Sequence, residues 1–267
     1  MELQEMNKIF TFGDGFATGH IWPEWPDILS AIYPSMEIIN TSAIGAGSEF
    51  LVNAILSKTT QNIDGMYLIQ WPHPCRFDKL IENKQWDQII NTDTTYAKNV
   101  YYLNDKKWWV SSESMQSEVR MYHDFYIEKQ QAELRNFNYM ILLKNYLENN
   151  NIQYRFMLTY AADYLSEFEK KQLITANWCW HKPWHGMSEY SVLDKYINIR
   201  QNEVQPSPII HIDWLVECLL PTLNISLDQI NLTLLKNLIY DQKWAPFHWD
   251  RKQIWINLLN KLDRHNR

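Results

Sequence analysis

Apolar residues in the first third of the chain fall into short continuous runs separated by stretches with helical spacing. Lys8 to Phe12 (KIFTF), Glu37 to Asn40 (EIIN) and Met66 to Trp71 (MYLIQW) are runs of strand length. Trp25 to Tyr33 reads as a helix, with Pro23 and Pro26 near its start, where proline is tolerated. The second run ends in a turn of small residues, Thr41 to Gly47. A second helix follows over Glu49 to Ser57, with Phe50, Leu51, Ala54 and Ile55 as its apolar positions. Pro72 and Pro74 stop the third run. This β-α-β-α-β rhythm predicts an α/β fold of flavodoxin-like layering: a parallel sheet with helices on both faces.

The pattern then changes. From about residue 76 to 116 the chain is polar and aromatic without a clean period, and is expected to be an irregular insertion or lid after the third strand. Glu118 to Glu148 is strongly helical, with Val119, Tyr122, Phe125 and Tyr126, then Leu134, Phe137, Met140 and Ile141 at helical spacing. Ile152 to Tyr160 is expected as the fourth strand. Asn177 to Gly186 (NWCWHKPWHG) reads as an aromatic loop. Ile209 to Leu220 is apolar enough for strand or helix. Leu227 to Tyr240 and Trp249 to Leu262 read as closing helices, the last with Ile254, Trp255, Leu258, Leu259 and Leu262 on one face. No internal repeat or linker divides the chain, so residues 1–267 are expected to form one domain.

Composition narrows the function classes. A net charge of −6 argues against a general nucleic-acid binder. Three cysteines, Cys75, Cys179 and Cys218, are widely spaced and form no CxxC pair, which indicates neither a disulfide framework nor a zinc-thiolate site. The opening residues MELQEMNK carry no apolar core of a secretory signal, and no stretch reaches the ~18 apolar residues of a spanning helix. Synthesis in the cytoplasm with no membrane partner is expected. Thirteen Trp and fifteen Tyr against seven Gly favour a heavily packed core; their other use is a stacking surface for sugar rings or a protein partner. His181 and His185 are four apart, but Pro183 between them breaks the helix that would present both to a metal, so no metal and no cofactor is expected. His211 and Asp213 are close enough in sequence to pair, the ordinary use of which is structural.

One segment carries candidate chemistry. Ile9 to His20 (IFTFGDGFATGH) is an apolar strand running into a glycine-bearing turn. Its Gly13-Asp14-Gly15 resembles the first conserved block of the SGNH (GDSL) hydrolase family, Gly-Asp-Ser after a strand, with Gly15 standing where the family has its nucleophilic serine. Asn40, Gly45, Gly47 and Ser48 match part of the second block. Gln70-Trp71, with Arg76 downstream, resembles a divergent subgroup common in tailed-phage genomes. Phe247-His248-Trp249-Asp250 resembles the C-terminal block, with Ala245 at the family's aspartate position and Asp241 as the nearest upstream carboxylate.

The resemblance implies a crevice at the C-terminal ends of the strands. His248 and Asp14 would be its catalytic positions, and Gly15, Gly45, Gly47, Gln70 and Arg76 its oxyanion or pocket positions. A serine hydrolase needs a base to take the serine proton, a carboxylate to orient that base, and donors aimed at the developing oxyanion. Losing the nucleophile alone removes about 10⁶-fold of the rate in a well-studied serine hydrolase. The expectation is therefore an SGNH-like fold without esterase activity, used for binding a glycan or a protein partner or for building a virus particle. The alternative is an active ester or acetyl-ester hydrolase acting on a carbohydrate or lipid ester. There His248 would be base, and water or a displaced serine, Ser42 or Ser48, would attack.

Overall fold

In a computed structural model of the protein, the described residues are 8–15, 17–18, 23–61, 64–80, 100–103, 106–111, 128–159, 165–173, 197–200, 203–205, 207–223, 225, 229–242 and 251–265. Four parallel strands form the central sheet: β1 (Lys8–Phe12), β2 (Glu37–Asn40), β3 (Met66–Trp71) and β7 (Tyr154–Leu158), in the order β2-β1-β3-β7. β1 and β3 are buried along nearly their whole length, which is why they read as continuous apolar runs. β2 is a short edge strand, half exposed, and Lys8 pairs with its Glu37 at 3.0 Å. The register sets Phe10 beside Tyr67 and Ile69 beside Phe156.

Two apolar cores lie on the two faces of this sheet. On one, α1 (Trp25–Ile32) packs with α5 (Pro208–Trp214), α6 (Gln229–Tyr240) and α7 (Arg251–His265) around Ile9, Trp25, Leu68 and Trp214. On the other, α2 (Ser48–Thr59) and α3 (Lys129–Asn149) pack around Phe10, Phe12, Tyr67, Trp71 and Phe156. α3 turns Ala132, Asn136, Met140, Leu143 and Leu147 inward, a stripe at three- and four-residue spacing. The doubly covered parallel sheet expected from the sequence is therefore what forms, and its strand order is that of the first four strands of the flavodoxin-like arrangement.

The segment after β3 differs from the irregular lid expected of it. β4 (Phe77–Leu80), β5 (Val100–Leu103) and β6 (Lys106–Ser111) make an antiparallel sheet in the order β4-β6-β5. Pairing with β6 is what orders a polar strand such as FDKL, a long-range cause that a local period cannot reveal. The long helix starts at Lys129; the expected residues 118–127 lie outside the described part. The ambiguous Ile209–Leu220 stretch is helical. α5 runs through a π segment (Leu215–Leu219) into a 3₁₀ turn (Leu220–Thr222). Pro221 has no N–H for an α-helical ladder at that point, so the regular helix cannot continue. Arg155 on β7 donates to the Thr222 carbonyl from Nε at 3.0 Å and Nη2 at 2.6 Å, closing the helix end on the sheet. A short helix, α4 (Glu167–Leu173), and a hairpin of β8 (Ile197–Arg200) with β9 (Glu203–Gln205) were not foreseen. Among the described residues no helix is long and apolar enough to cross a membrane.

Candidate functional site

The chain passes from β1 outward to β2, then back across to β3, so the strand order reverses between β1 and β3. In an open parallel sheet the crevice beyond the carboxyl ends of such strands is the usual ligand position. Five of the seven residues singled out in the sequence, together with Gly13 and Asn40, follow β1, β2 or β3 directly or end them. Arg76 comes a few residues past β3, and His248 lies outside the described residues, as do His181, His185 and the aromatic loop around them.

After β1, Gly13 and Asp14 are held tightly. The Gly13 carbonyl accepts from the Ala43 amide at 3.1 Å, and the Asp14 carbonyl from the Ala17 amide at 3.0 Å. A Cβ on Gly13 would stand 3.0 Å from the Ala17 Cβ and 3.2 Å from the Gln70 side chain, so a larger residue there would push these neighbours back by a few tenths of an ångström. Asp14 is fully buried. Its carboxylate meets the Arg76 guanidinium at 3.4 Å and accepts from the Thr159 hydroxyl, just past β7, at 3.4 Å. Arg76 retains 14% side-chain exposure, so the ion pair lies at the rim of the core. Gly15 is buried beside it.

Gln70 is also buried, at the end of β3, and its Oε1 accepts from the Trp25 indole Nε1 at 2.9 Å. After β2, the Asn40 Oδ1 accepts from the Thr11 hydroxyl at 3.1 Å and the Ser42 amide at 3.0 Å, while its Nδ2 donates to the Ala17 carbonyl. Gly45 has φ 79°, the left-handed conformation that glycine adopts without strain, and it turns the chain toward α2.

Gly47, like Gly45 a candidate oxyanion or pocket position, gives its amide to Asp78 Oδ1 at 2.7 Å, and Phe50 gives its own to Asp78 Oδ2 at 2.8 Å. Asp78 on β4 thus caps α2 from outside the helix, taking the part that a Ser, Thr or Asp at the N-cap plays locally. Of the two serines considered as displaced nucleophiles, Ser48 donates its hydroxyl to the Asn136 side chain on α3. The Ser42 hydroxyl is buried and has no hydrogen-bond partner among the described residues.

Three of these groups escaped the sequence reading. Thr159 is a single polar residue at the end of an apolar run, Asp78 lies in a polar stretch without a period, and Trp25 looked like core. Arg76-x-Asp78 was the available signal, since alternate residues beyond a strand end can serve one neighbourhood. The His211–Asp213 pair resolves differently from its spacing. Asp213 takes the Lys236 ammonium at 2.9 Å and the Tyr240 hydroxyl, joining α5 to α6. Among the described residues no group of three His, Cys, Asp or Glu stands together as a metal site.

Burial lifts the Asp78 carboxyl from its ordinary 3.8 to about 7. The Phe50 and Gly47 amides pull it back, Glu49 adds to the rise and Arg135 opposes it. Between 3.8 and about 7 the folded protein therefore keeps a proton that the unfolded chain has released. The contribution is full below the lower value, is lost as pH rises through the higher one, and is level above it. Urea midpoints of the wild type should accordingly fall relative to those of Asp78→Asn across that window. Parallel pH profiles would mean that the carboxyl titrates in its ordinary range.

No protein-family model, curated protein or solved structure matches this chain.

Proposed function

We propose that the chain is an SGNH-hydrolase-like module without esterase activity, serving a binding or structural role as a component of a virus particle. One observation carries the reading: the polar groups gathered at the crevice are engaged inside the molecule. Asp14 is held by Arg76 and Thr159, Gln70 by Trp25, and Asn40 by Thr11 and Ser42. The Gly47 amide, a candidate oxyanion donor alongside Gly45, is given to a carboxylate, and the nucleophile position, Gly15, has no side chain. Preorganised donors stabilise a transition state only where they are aimed at the developing charge and not already committed. The virus-particle part rests on the tailed-phage resemblance of Gln70-Trp71 and Arg76. The partner class it favours is a protein of the assembly or a glycan.

Hydrolysis of a short-chain p-nitrophenyl ester tests the reading. The unmodified protein should be inactive, and Gly15→Ser should gain measurable turnover that a second change, His248→Ala, removes. Turnover in the unmodified protein, lost in His248→Ala, would overturn it. The Ser42 hydroxyl, committed to no partner among the described residues, favours the second reading of an active hydrolase with a displaced serine. In that case Ser42→Ala would abolish turnover along with His248→Ala.

A further inference from the structure

We propose that the cleft between the end of α6 and α7 binds a small hydroxylated anion, a sugar-sized body carrying one carboxylate or phosphate. The cleft shares no residue with the strand-end crevice, and the proposal goes beyond the functional reading without resting on it.

The cleft comes from the way the two helices close. Leu258 and Leu262 of α7 are buried with Leu235 and Ile239 of α6 in one apolar core. Past α6, the Asp241 amide returns to the Asn237 carbonyl at 2.9 Å and the Gln242 amide to the Ile239 carbonyl at 3.3 Å. That turn fixes Gln242 beside α7, and a cavity of about 340 Å³ remains between them. Small-molecule sites begin at about 300 Å³, so the space suits one ligand of modest size. Ile254, half-buried, and Leu258, buried, form its apolar floor.

The charged lining has one sign. Asn257, Asn260, Lys261 and Arg264 stand three or four residues apart, so they share one edge of α7, and all four are exposed. Among the described residues no carboxylate lines the cleft, although the chain as a whole carries −6. Neither cation makes an ion pair among the described residues. On a solvated helix the pairing acids stand four residues before such cations, and those positions here are Asn257 and Asn260.

The carboxamides give the site direction. Asn257 Oδ1 accepts from Gln253 Nε2 at 2.9 Å, which leaves its Nδ2 as a donor. Gln242 Nε2 donates to the Leu238 carbonyl at 3.3 Å, which leaves its Oε1 as an acceptor. Two cations match an anionic group, a donor and an acceptor match hydroxyls, and the floor matches a C–H face. A bare anion would use only the first of these.

Glucuronate and glucose 6-phosphate are the probes, with glucose and inorganic phosphate as controls. In the whole chain at low salt, at least one of the two acids should saturably shift the side-chain amide resonances of Gln242, Asn257 and Asn260. The acid that binds more tightly identifies the anionic group. Glucose and phosphate alone should each bind about tenfold more weakly or worse, and Lys261→Ala with Arg264→Ala should lose about tenfold or more. Asn257→Asp with Asn260→Asp supplies the absent acids and should weaken binding as much with both cations kept, which decides the matter if the alanine variant fails to fold. No saturable shift from either acid would overturn the proposal. So would either control binding as tightly as the acids, or unchanged affinity in the folded variants. Turnover in the esterase assay would defeat the functional reading and leave this one standing.

Discussion

Trp25→Ala is expected to remove about 3–5 kcal/mol of stability, the usual cost of truncating a fully buried large aromatic residue. Trp25 has no solvent exposure, and its ring tilts at 59° against Trp214 with centroids 6.1 Å apart. It links α1 to the helices behind it, while its indole N–H crosses to Gln70 at the end of β3. Truncation therefore opens a cavity in one core and takes a donor from the crevice. Trp25→Phe keeps a ring in the core and removes the donor, so its cost combines a smaller cavity with about 1–3 kcal/mol for the lost hydrogen bond to buried Gln70. Pairing it with Gln70→Met should recover part of that loss. Denaturant unfolding of the three variants measures all of these terms. A cost for Trp25→Ala no larger than that of a surface substitution would show that α1 settles into the space.

The second large effect is an asymmetry. Arg76→Ala leaves the fully buried Asp14 carboxylate without its cation, whereas Asp14→Asn leaves a cation already at the rim and able to turn toward water. Breaking a fully buried pair by removing one partner costs about 3–5 kcal/mol, and the partial exposure of Arg76 places Arg76→Ala at the lower end of that range. Asp14→Asn keeps an oxygen for the Thr159 hydroxyl and should cost distinctly less. Equal costs in urea unfolding would mean that the charge on Asp14 contributes nothing beyond its hydrogen bonds.

The layering was legible because it is written in local periods. MYLIQW could be read as a doubly buried strand before anything was known of its neighbours, and all six of its residues are buried. Asn40, Gly45, Gln70 and Arg76 were singled out by their resemblance to SGNH family blocks, and the structure sets the first three at a strand end or in the turn that follows one. What each of them does there was not legible. The partner of the Gly47 amide was out of reach because the group that takes it, Asp78, lies across an unpatterned stretch and belongs to a strand made by pairing with Lys106–Ser111. The FDKL segment has no strand signature of its own, and Thr159 gains meaning only when β7 is set beside β3. Contacts of this kind depend on long-range pairing, which a period of two or of 3.6 does not encode.

The strand order has a consequence for how the chain assembles. β2, β1 and β3 are joined by short crossovers, but β7 must find β3 from the far side of the inserted sheet and α3, from Trp71 to Tyr154. Closing a longer loop adds only about 0.6 kcal/mol for each doubling of its length, so the detour weighs little on the finished fold. It weighs on the rate, since distant pairings must be reached before they reward the chain. β7 should therefore join the sheet late, after the first three strands have found one another. Until it does, β3 presents an unpaired apolar edge, and that interval is when the chain is most open to joining the wrong neighbour.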